Sequence, residues 1–139
     1  MEIEIRRLSA ADGQVLERVA QDVFDEAIDT GRLIDYLAAP GHLMVVAMSG
    51  DEVVGQVAAV IHRHPDKPTE LYVDEVGVTP TLWRRGIARR MMGEMFAWGR
   101  ELGCEESWVG TETDNLPARR LYETLGAEAE PIVMFLYDL

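Results

Sequence analysis

The sequence predicts an α/β protein of the α+β kind, in which one mixed sheet is covered by helices on both faces. Apolar runs of strand length are separated from segments whose apolar residues recur every three or four positions. These segments follow the order β-α-α-β-β-β-α-β-α-β, without internal repeats or a linker. With 139 residues, 47% of them hydrophobic, the chain is expected to form a single domain over residues 1–139.

The N-terminal part is predicted to contribute one strand and two helices. The strand covers residues 3–8, where apolar and charged residues alternate weakly. A helix follows, and its apolar face carries Val15, Leu16, Val19, Val23 and Phe24. The second helix covers residues 31–39 and ends at Pro40-Gly41. An acidic segment separates the helices, typical of a solvated face but also suited to a polycation; its members are Asp22, Asp25, Glu26 and Asp29.

A hairpin is predicted next, from the apolar runs 43–48 and 53–61. They are joined by Ser49-Gly50-Asp51-Glu52, and Gly-Asp in a short polar link is a hairpin signal. His62 and His64 follow the second strand, with spacing that would allow both to bind a metal. Neither a cysteine nor a third histidine nor a carboxylate cluster completes the set nearby in sequence, so no metal is expected.

The centre of the chain is a strand and a helix joined by a basic turn. Residues 70–78 alternate in the manner of a buried strand, and Thr79-Pro80 ends it because proline has no N–H for a ladder. Helical periodicity then runs from Gly86 to Gly103, which is a suitable C-terminal cap. The apolar face of this helix consists of Ile87, Ala88, Met91, Met92, Met95, Trp98 and Leu102.

The turn before this helix has the composition of a phosphate site. The first N–H groups of a helix lack internal partners, and the helix dipole adds partial positive charge there. Gly86 lets an oxyanion approach the backbone, and four arginines stand close by in an otherwise acidic chain: Arg84, Arg85, Arg89 and Arg90. Taken alone, an Arg-Arg-Gly turn is more often an ordinary solvated basic turn, so this motif leaves both interpretations open.

The C-terminal part is predicted to supply strand, helix and strand. Residues 107–111 form the first strand, and Asn115 is a suitable N-cap with Pro117 in the first helical turn. The helix covers residues 118–125 and is capped by Gly126. The last strand is expected at residues 132–137, where six apolar residues follow one another.

Charge and cysteine content restrict the function. A net charge of −12 argues against nucleic-acid binding and permits attraction of cationic partners, although acidic charge also simply favours solubility. The single Cys104 cannot form an internal disulfide, which fits a reducing cytoplasm. No apolar run approaches a membrane span and the N-terminus lacks a signal-peptide pattern, so a cytoplasmic protein without membrane partners is expected.

Two blocks of the sequence resemble the acetyl-CoA-binding signature of the GNAT N-acetyltransferase superfamily, at the usual separation. They are Val76-Gly77-Val78-Thr79-Pro80 with Arg84-Arg85-Gly86-Ile87-Ala88, and Asn115, Ala118, Leu121-Tyr122 and Leu125-Gly126. One position departs from the pattern, because Trp83 stands where the superfamily has a basic residue or glutamine. The resemblance implies a mostly antiparallel sheet whose central strand pair splays apart to admit acetyl-CoA as co-substrate.

The same resemblance implies the residues that hold acetyl-CoA. Its arm would pair with the backbone of the central strand, its diphosphate would lie on the turn before the helix, and the last helix would form the other wall. The implied cofactor-binding residues are Val76, Gly77, Val78, Arg84, Arg85, Gly86, Ile87, Ala88, Asn115, Ala118 and Tyr122.

Two residues are expected to be catalytic. Glu75 precedes the cofactor-pairing residues, where the superfamily often places a general base, directly or through one water; it could instead only hold the cationic substrate. Tyr122 matches the tyrosine that protonates the leaving thiolate, although a tyrosine covering the edge of the core would have the same pattern.

A narrower resemblance, from Glu70 onward, is to the aminoglycoside 3-N-acetyltransferase family. It implies an aminoglycoside acceptor acetylated at its 3-amine. The implied acceptor-binding carboxylates are Asp74, Glu75, Glu112 and Asp138; Asp74 is expected on the opposite face of the strand from Glu75 by alternation. The alternatives are a polyamine or small-metabolite acetyltransferase and a non-catalytic acetyl-CoA-binding module. A homodimer is compatible with the resemblance.

Overall fold

Five strands form one sheet in the order β1-β2-β3-β4-β5. The computed structural model describes residues 2–139. The first four strands pair antiparallel with their neighbours, whereas β5 pairs with β4 in parallel. Their bounds are β1 Glu4–Arg7, β2 His42–Ser49, β3 Glu52–His62, β4 Glu70–Val78 and β5 Glu106–Val109. The predicted mixed, mostly antiparallel sheet is therefore confirmed.

Three α-helices accompany the sheet: α1 Thr30–Ala38, α2 Ile87–Glu101 and α3 Leu116–Thr124. Short 3-10 turns occupy Gly13–Glu17 and Pro80–Leu82. The predicted N-cap of α3 is confirmed, because the side chain of Asn115 accepts a hydrogen bond from the amide of Ala118 at 3.3 Å. Within residues 2–139, no helix is both long enough and apolar enough to cross a bilayer.

Each face of the sheet has its own apolar core. The helix α2 covers one face, and the buried residues there include Val45, Val57, Ala59, Leu71, Val73, Met91, Met92 and Met95. The helix α1 and the segment before it cover the other face, with Leu8, Leu16, Val23, Leu33, Leu37, Met44 and Val46. Two layers of packing therefore hold the central strands, and helices on both faces are confirmed.

The helix predicted around residues 15–24 is wrong. Only the 3-10 turn Gly13–Glu17 forms, after which the backbone runs beside β3. The amide of Ala20 donates to the carbonyl of Val53 at 2.8 Å, and the amide of Val53 donates to the carbonyl of Arg18 at 2.8 Å. Pairing with a neighbouring strand satisfies the same backbone groups that a helix would have paired, and apolar spacing alone cannot distinguish the two outcomes.

The strand predicted at residues 132–137 is also wrong for this chain taken alone. These residues have no regular secondary structure, and every residue from Ala127 onward is exposed. The apolar run reflects strand propensity, but a strand also needs a partner edge to pair its backbone groups. The exposed run, from Pro131 to Leu139, is called the C-terminal tail below.

Candidate active site

The strands β4 and β5 separate part-way along their length. Their pairing begins at Glu70 with Glu106 and ends at Val73 with Val109, whereas β4 continues to Val78. The amide of Thr79 donates to the carbonyl of Val54 on β3 at 2.9 Å. Because backbone groups alternate along a strand, those of Val78 and Val76 face the opened edge. The predicted splayed pair is present, and its exposed backbone groups are those expected to pair with acetyl-CoA.

The residues of the basic turn adopt the conformation of an anion-binding helix start. Gly86 is the N-cap of α2 with φ of 75°, and Arg84 also has a positive φ of 64°. A Cβ at Gly86 would meet no atom within 4 Å, so the space in front of the helix is open. The first internal bond runs from the amide of Arg90 to the carbonyl of Gly86 at 3.0 Å. The amides of residues 87–89 consequently have no carbonyl within the helix to bond.

The four arginines of this region divide into two groups. Arg84, Arg85 and Arg89 are exposed beside the turn. Arg90 instead donates from its guanidinium to the carbonyl of Ile3 at 3.0 Å and so ties β1 to α2. The positive charge in front of the helix therefore comes from three side chains and the helix dipole.

Trp83 has a defined role in the turn. Its indole Nε1 donates to the carbonyl of Val78 at 2.7 Å, although its side chain is largely exposed. The bond occupies one acceptor on the opened edge of β4 and fixes the turn relative to the end of the strand. The backbone amide of Val78 takes no part in this bond, which uses only the carbonyl of the same residue.

A β-bulge brings two carboxylates to the same side of the sheet. Ala58 pairs with Glu75 and Ala59 with Val73, so Asp74 is an extra residue without a partner. Leu71 and Val73 pack in the α2-side core, so Tyr72 and Asp74, which alternate with them, lie on the face away from α2. The expectation that Asp74 lies on the opposite face from Glu75 is wrong, because a bulge interrupts the alternation on which it depended.

Glu75 is half-buried, and its surroundings favour the protonated form. Burial raises the pKa of its carboxyl, and the nearby charges of Asp25 and Asp74 raise it further. A hydrogen bond from the amide of Asp25 to Oε1, at 3.3 Å, opposes the shift. A carboxyl whose pKa is raised toward neutrality is a stronger base than an ordinary surface glutamate.

Gly77 allows the acidic segment to lie directly on β4. A Cβ at this position would stand 2.1 Å from the carbonyl oxygen of Val23. The same carbonyl accepts a hydrogen bond from the side chain of Gln56 on β3 at 3.3 Å. The two contacts fix the position of the segment that carries Asp25. The same segment forms a hollow of about 290 Å³, which is lined by Val19, Ala20, Asp22, Phe24, Asp25, Glu26, Ala27 and Ile28.

Three aromatic residues that sequence reasoning did not single out lie near the two carboxylates or the opened edge. Tyr72 stacks on Trp108 of β5 with ring centroids 4.2 Å apart and an interplanar angle of 26°. The hydroxyl of Tyr36 lies 2.7 Å from the carbonyl of Leu43, to which it donates. Burial raises the pKa of Tyr36, and the charges of Asp74 and Glu75 raise it too, against the effect of a hydrogen bond to Ala59. The sequence could have identified Tyr72 from its position two residues before Asp74, because residues two apart in a strand lie on the same face.

Tyr122 lies on the same side of the sheet as α2. It is partly buried against the α2-side core, which Val76 and Val78 also contact. Burial raises the pKa of its phenol, so the hydroxyl stays protonated at neutral pH and can act as a donor. Asn115 and Ala118 precede it on the same helix, and the side chain of Asn115 is engaged in the cap.

The remaining expected acceptor residues lie outside this arrangement. Glu112 is exposed in the connection between β5 and α3. Asp138 belongs to the C-terminal tail, and within residues 2–139 no ion pair or side-chain hydrogen bond connects the tail to the rest of the chain.

The structure adds a carboxylate to the histidine pair. Glu70 is the partner of His62 in the sheet, and its Oε1 lies 2.8 Å from Nε2 of His64. The potential ligand atoms of these three residues lie within 4.8 Å of one another. Ligands of tetrahedral zinc stand about 3.3 Å apart for bonds of about 2.0–2.1 Å. In the structure, His64 and Glu70 are joined by a hydrogen bond.

The sequence profile described as the acetyltransferase (GNAT) family matches residues 10–127. The chain belongs to this family. The open Gly86 turn, with the unpaired amides of the helix start, suits a diphosphate.

Two kinds of curated relative resemble this GNAT protein. An aminoglycoside N(6')-acetyltransferase type 1 of Salmonella typhimurium is 26% identical over 95 residues, which are 65% of each chain. The N-alpha-acetyltransferase RimI of Mycobacterium tuberculosis is 29% identical over 126 residues, or 89% of this chain and 77% of RimI. The alignment therefore spans about 65% of the length of the aminoglycoside-modifying relative.

Solved structures share the fold. An aminoglycoside acetyltransferase from an uncultured soil metagenomic sample has a TM-score of 0.86 at 20% identity and covers 99% of this chain and 96% of its own. The aminoglycoside acetyltransferase AAC(6')-Iy, bound to a bisubstrate analogue, has a TM-score of 0.82 at 21% identity and covers 100% and 99%. At this identity the likeness shows the fold alone.

Proposed function

We propose that this GNAT protein transfers an acetyl group from acetyl-CoA to an amine of an aminoglycoside. The observation that carries the proposal is the position of the opened edge of β4. One end of this edge leads to the Gly86 turn. The carboxylates of Asp74 and Glu75 lie on the same strand, on the face away from α2. An acyl donor and a cationic amine can therefore approach each other across one strand.

Acetyl-CoA supplies a thioester as the acetyl donor. The amides of residues 87–89 and the exposed arginines bind its diphosphate, and the backbone of Val76 and Val78 orients its arm. A backbone N–H on the opened edge donates to the thioester carbonyl, where negative charge develops. The phenol of Tyr122 provides the proton for the departing thiolate.

The acceptor must lose a proton before it can attack, because a protonated amine has no lone pair. Carboxylates that attract a cationic amine also favour its protonated form, so the site needs a base. Glu75 fills this role, directly or through one water, because burial raises its pKa and makes it a better proton acceptor than an ordinary surface glutamate. Asp74 and Asp25 remain to hold the other positive charges of the acceptor.

The acceptor class is tested by measuring thiol release from acetyl-CoA with gentamicin-type aminoglycosides, spermidine and short peptides. We expect turnover with the aminoglycosides at kcat/KM at least tenfold above the other amines, because several carboxylates meet several ammonium groups at once. Preferred turnover with spermidine would instead assign a polyamine acetyltransferase. Cofactor binding by calorimetry without turnover on any amine would assign a non-catalytic acetyl-CoA-binding module.

The acetylated position is a separate question. The sequence resemblance favours the 3-amine, whereas the aminoglycoside relatives are N(6')-acetyltransferases, which favours the 6'-amine. NMR of the product of a single aminoglycoside that carries both amines distinguishes them, since acetylation shifts the signals of the adjacent ring protons.

The RimI relative supports a second candidate, acetylation of a protein N-terminus. An α-amine has a pKa of about 7.7–8.0 and needs less help from a base than an ordinary alkyl amine. The peptide arm of the same assay tests it: preferred turnover with peptides that is lost when their α-amine is blocked would support this candidate.

Two glycines of α2 offer a matched test of the cofactor site. Gly86 and Gly103 stand at opposite ends of the helix, both with positive φ and with open space at the Cβ position. We expect Gly86→Ala and Gly103→Ala to lose similar stability, about 1–2 kcal/mol each. Only Gly86→Ala should weaken coenzyme A binding, by about tenfold or more, because its Cβ enters the space in front of the helix amides.

Isothermal titration with coenzyme A and thermal melts of both variants measure the two effects. Equal affinity in the two variants would contradict the assignment of the diphosphate to this turn. Weakened binding in both would mean that the loss follows stability rather than position.

A further inference from the structure

The end of the β3–β4 hairpin brings two histidines and a glutamate together on one face of the sheet. Leu71 packs in the α2-side core, so Glu70, its neighbour on β4, faces the other way. His62 ends β3 and is the cross-strand partner of Glu70, so their side chains lie on the same face. His64 belongs to the loop that joins the two strands, and its Nε2 lies 2.8 Å from Oε1 of Glu70.

The three side chains are close enough to share one ion. Their potential ligand atoms all lie within 4.8 Å of one another, and the two imidazole rings have centroids 4.3 Å apart at an interplanar angle of 39°. Neighbouring ligands of a four-coordinate zinc ion stand roughly 3.3 Å apart. Side-chain rotations that move each donor atom by about 1 Å therefore bring all three to bonding distance, with the strands left in place.

Burial and access are divided among the three residues in the way that a metal site requires. The side chains of His64 and Glu70 are only 16% and 17% exposed, so the surrounding chain holds two of the donors in place. His62 is exposed and leaves a path by which an ion can enter. The same opening gives water access to a fourth coordination position.

The charges around the cluster also favour a cation. The positive side chains nearest in sequence are Arg63 and Lys67, and Lys67 pairs with the carboxylate of Asp66 at 3.7 Å. Glu70 is joined by a second carboxylate, since Glu106 is its partner on β5. Negative charges thus outnumber positive ones around the cluster, in a chain whose net charge is −12.

We propose that His62, His64 and Glu70 form a binding site for a divalent transition-metal ion of the zinc type. Two imidazoles and one carboxylate suit Zn²⁺, whereas Mg²⁺ and Ca²⁺ prefer oxygen ligands alone. An ion bound to Nε2 of His64 takes the place of the hydrogen that now links this atom to Glu70. The sequence-based expectation of no metal considered only nearby residues, whereas Glu70 reaches the histidines through the pairing of β3 with β4.

The bound ion joins the end of β3, the connecting loop and the start of β4. Glu70 precedes Glu75 by five positions, or roughly 15 Å along a strand, so the site is separate from the proposed acceptor site. Because unfolding separates the three ligands, Zn²⁺ at a hundredfold excess over its Kd should raise the melting temperature by about 5 °C.

Isothermal titration of the full chain, without a histidine tag, with zinc chloride is the first test. We expect one ion per chain with a micromolar Kd, and excess Mg²⁺ should not compete. His62→Gln and Glu70→Gln should each weaken the affinity at least tenfold. His62 is exposed, so its variant keeps the fold. Asp66→Asn is the matched control, because it removes an exposed carboxylate of the same loop that lies outside the cluster, and it should bind Zn²⁺ as the native protein does.

The histidine side chains then report where the ion binds. The chain has three histidines, and the third, His42, lies at the start of β2 outside the cluster. In nitrogen-15 NMR of the side chains, Zn²⁺ should shift the imidazole signals of His62 and His64 and leave those of His42 unchanged. Equal affinity in the native and His62→Gln proteins would assign the ion to scattered surface carboxylates and overturn the proposal. Binding no tighter than millimolar, or shifts confined to His42, would also overturn it.

Discussion

Replacing Glu75 by glutamine is expected to lower kcat for the amine by roughly 10²–10³-fold, as removal of a general base does. The KM for acetyl-CoA should change little, because the carboxyl lies on the face of β4 away from α2 and the Gly86 turn. Glutamine keeps the shape of the side chain and can still accept the hydrogen bond from the amide of Asp25. Steady-state kinetics with each substrate varied in turn separate the two parameters.

The pH profile identifies the role of the carboxyl. In the proposed mechanism the ionised form of Glu75 is the base, so native turnover should fall as the pH drops through its raised pKa. In Glu75→Gln this acid limb should disappear. Asp74→Asn is the matched control, since Asp74 is adjacent and exposed; it should raise the KM of the amine and keep the acid limb. An unchanged acid limb in Glu75→Gln would reject Glu75 as the base.

The same substitution should stabilise the fold slightly at neutral pH. Because the pKa of Glu75 is raised in the folded state, folding disfavours its charged form, and the associated stability is present at low pH and lost as the pH rises through the folded pKa. Because glutamine carries no charge, the Glu75→Gln protein does not lose this stability as the pH rises. Melting temperatures of the two proteins should therefore differ at pH 7 and converge below the ordinary carboxyl pKa.

Replacing Gly77 by alanine is expected to destabilise the protein by about 3 kcal/mol, the upper end of the usual range for overpacking. The added Cβ would stand 2.1 Å from the backbone carbonyl of Val23, and a backbone atom cannot move aside as the tip of a side chain can. For a chain of this length the loss corresponds to a fall of about 10 °C in melting temperature. Thermal melts measure the effect directly.

Gly93→Ala is the control for this prediction. Gly93 lies in α2, where a Cβ would meet no atom within 4 Å, so alanine should stabilise the helix by about 1 kcal/mol. The two identical substitutions should thus shift stability in opposite directions. A Gly77→Ala protein as stable as the native one would mean that the acidic segment is not held against β4.

The parts of the site that could be predicted are those that short stretches of sequence determine. The N-cap at Asn115, the end of β4 at Thr79-Pro80 and the helix start at Gly86 each depend on backbone chemistry within a few residues. Capping and proline effects act locally, so one sequence is enough to recognise them. The strand β4 and the helix α2, on either side of the Gly86 turn, could be predicted for the same reason.

The parts that were missed depend on contacts distant in sequence. The bulge at Asp74 arises from the register between β3 and β4, and the course of residues 18–20 follows from pairing with Val53. The bond from the amide of Asp25 to Glu75 joins residues 50 positions apart and uses no side chain of Asp25. Side-chain patterns carry little signal for such contacts, because at least one group in each of them belongs to the backbone.

The distribution of buried residues has a consequence for biosynthesis. Since Gly99 is the last buried residue, the ribosome has delivered both apolar cores before β5, α3 and the tail emerge. The nascent chain can thus acquire its stable nucleus early, and the wall carrying Tyr122 is added to a preformed scaffold. In the finished protein, amide hydrogens of α3 should exchange with solvent faster than those of β3, through local opening that leaves the scaffold intact.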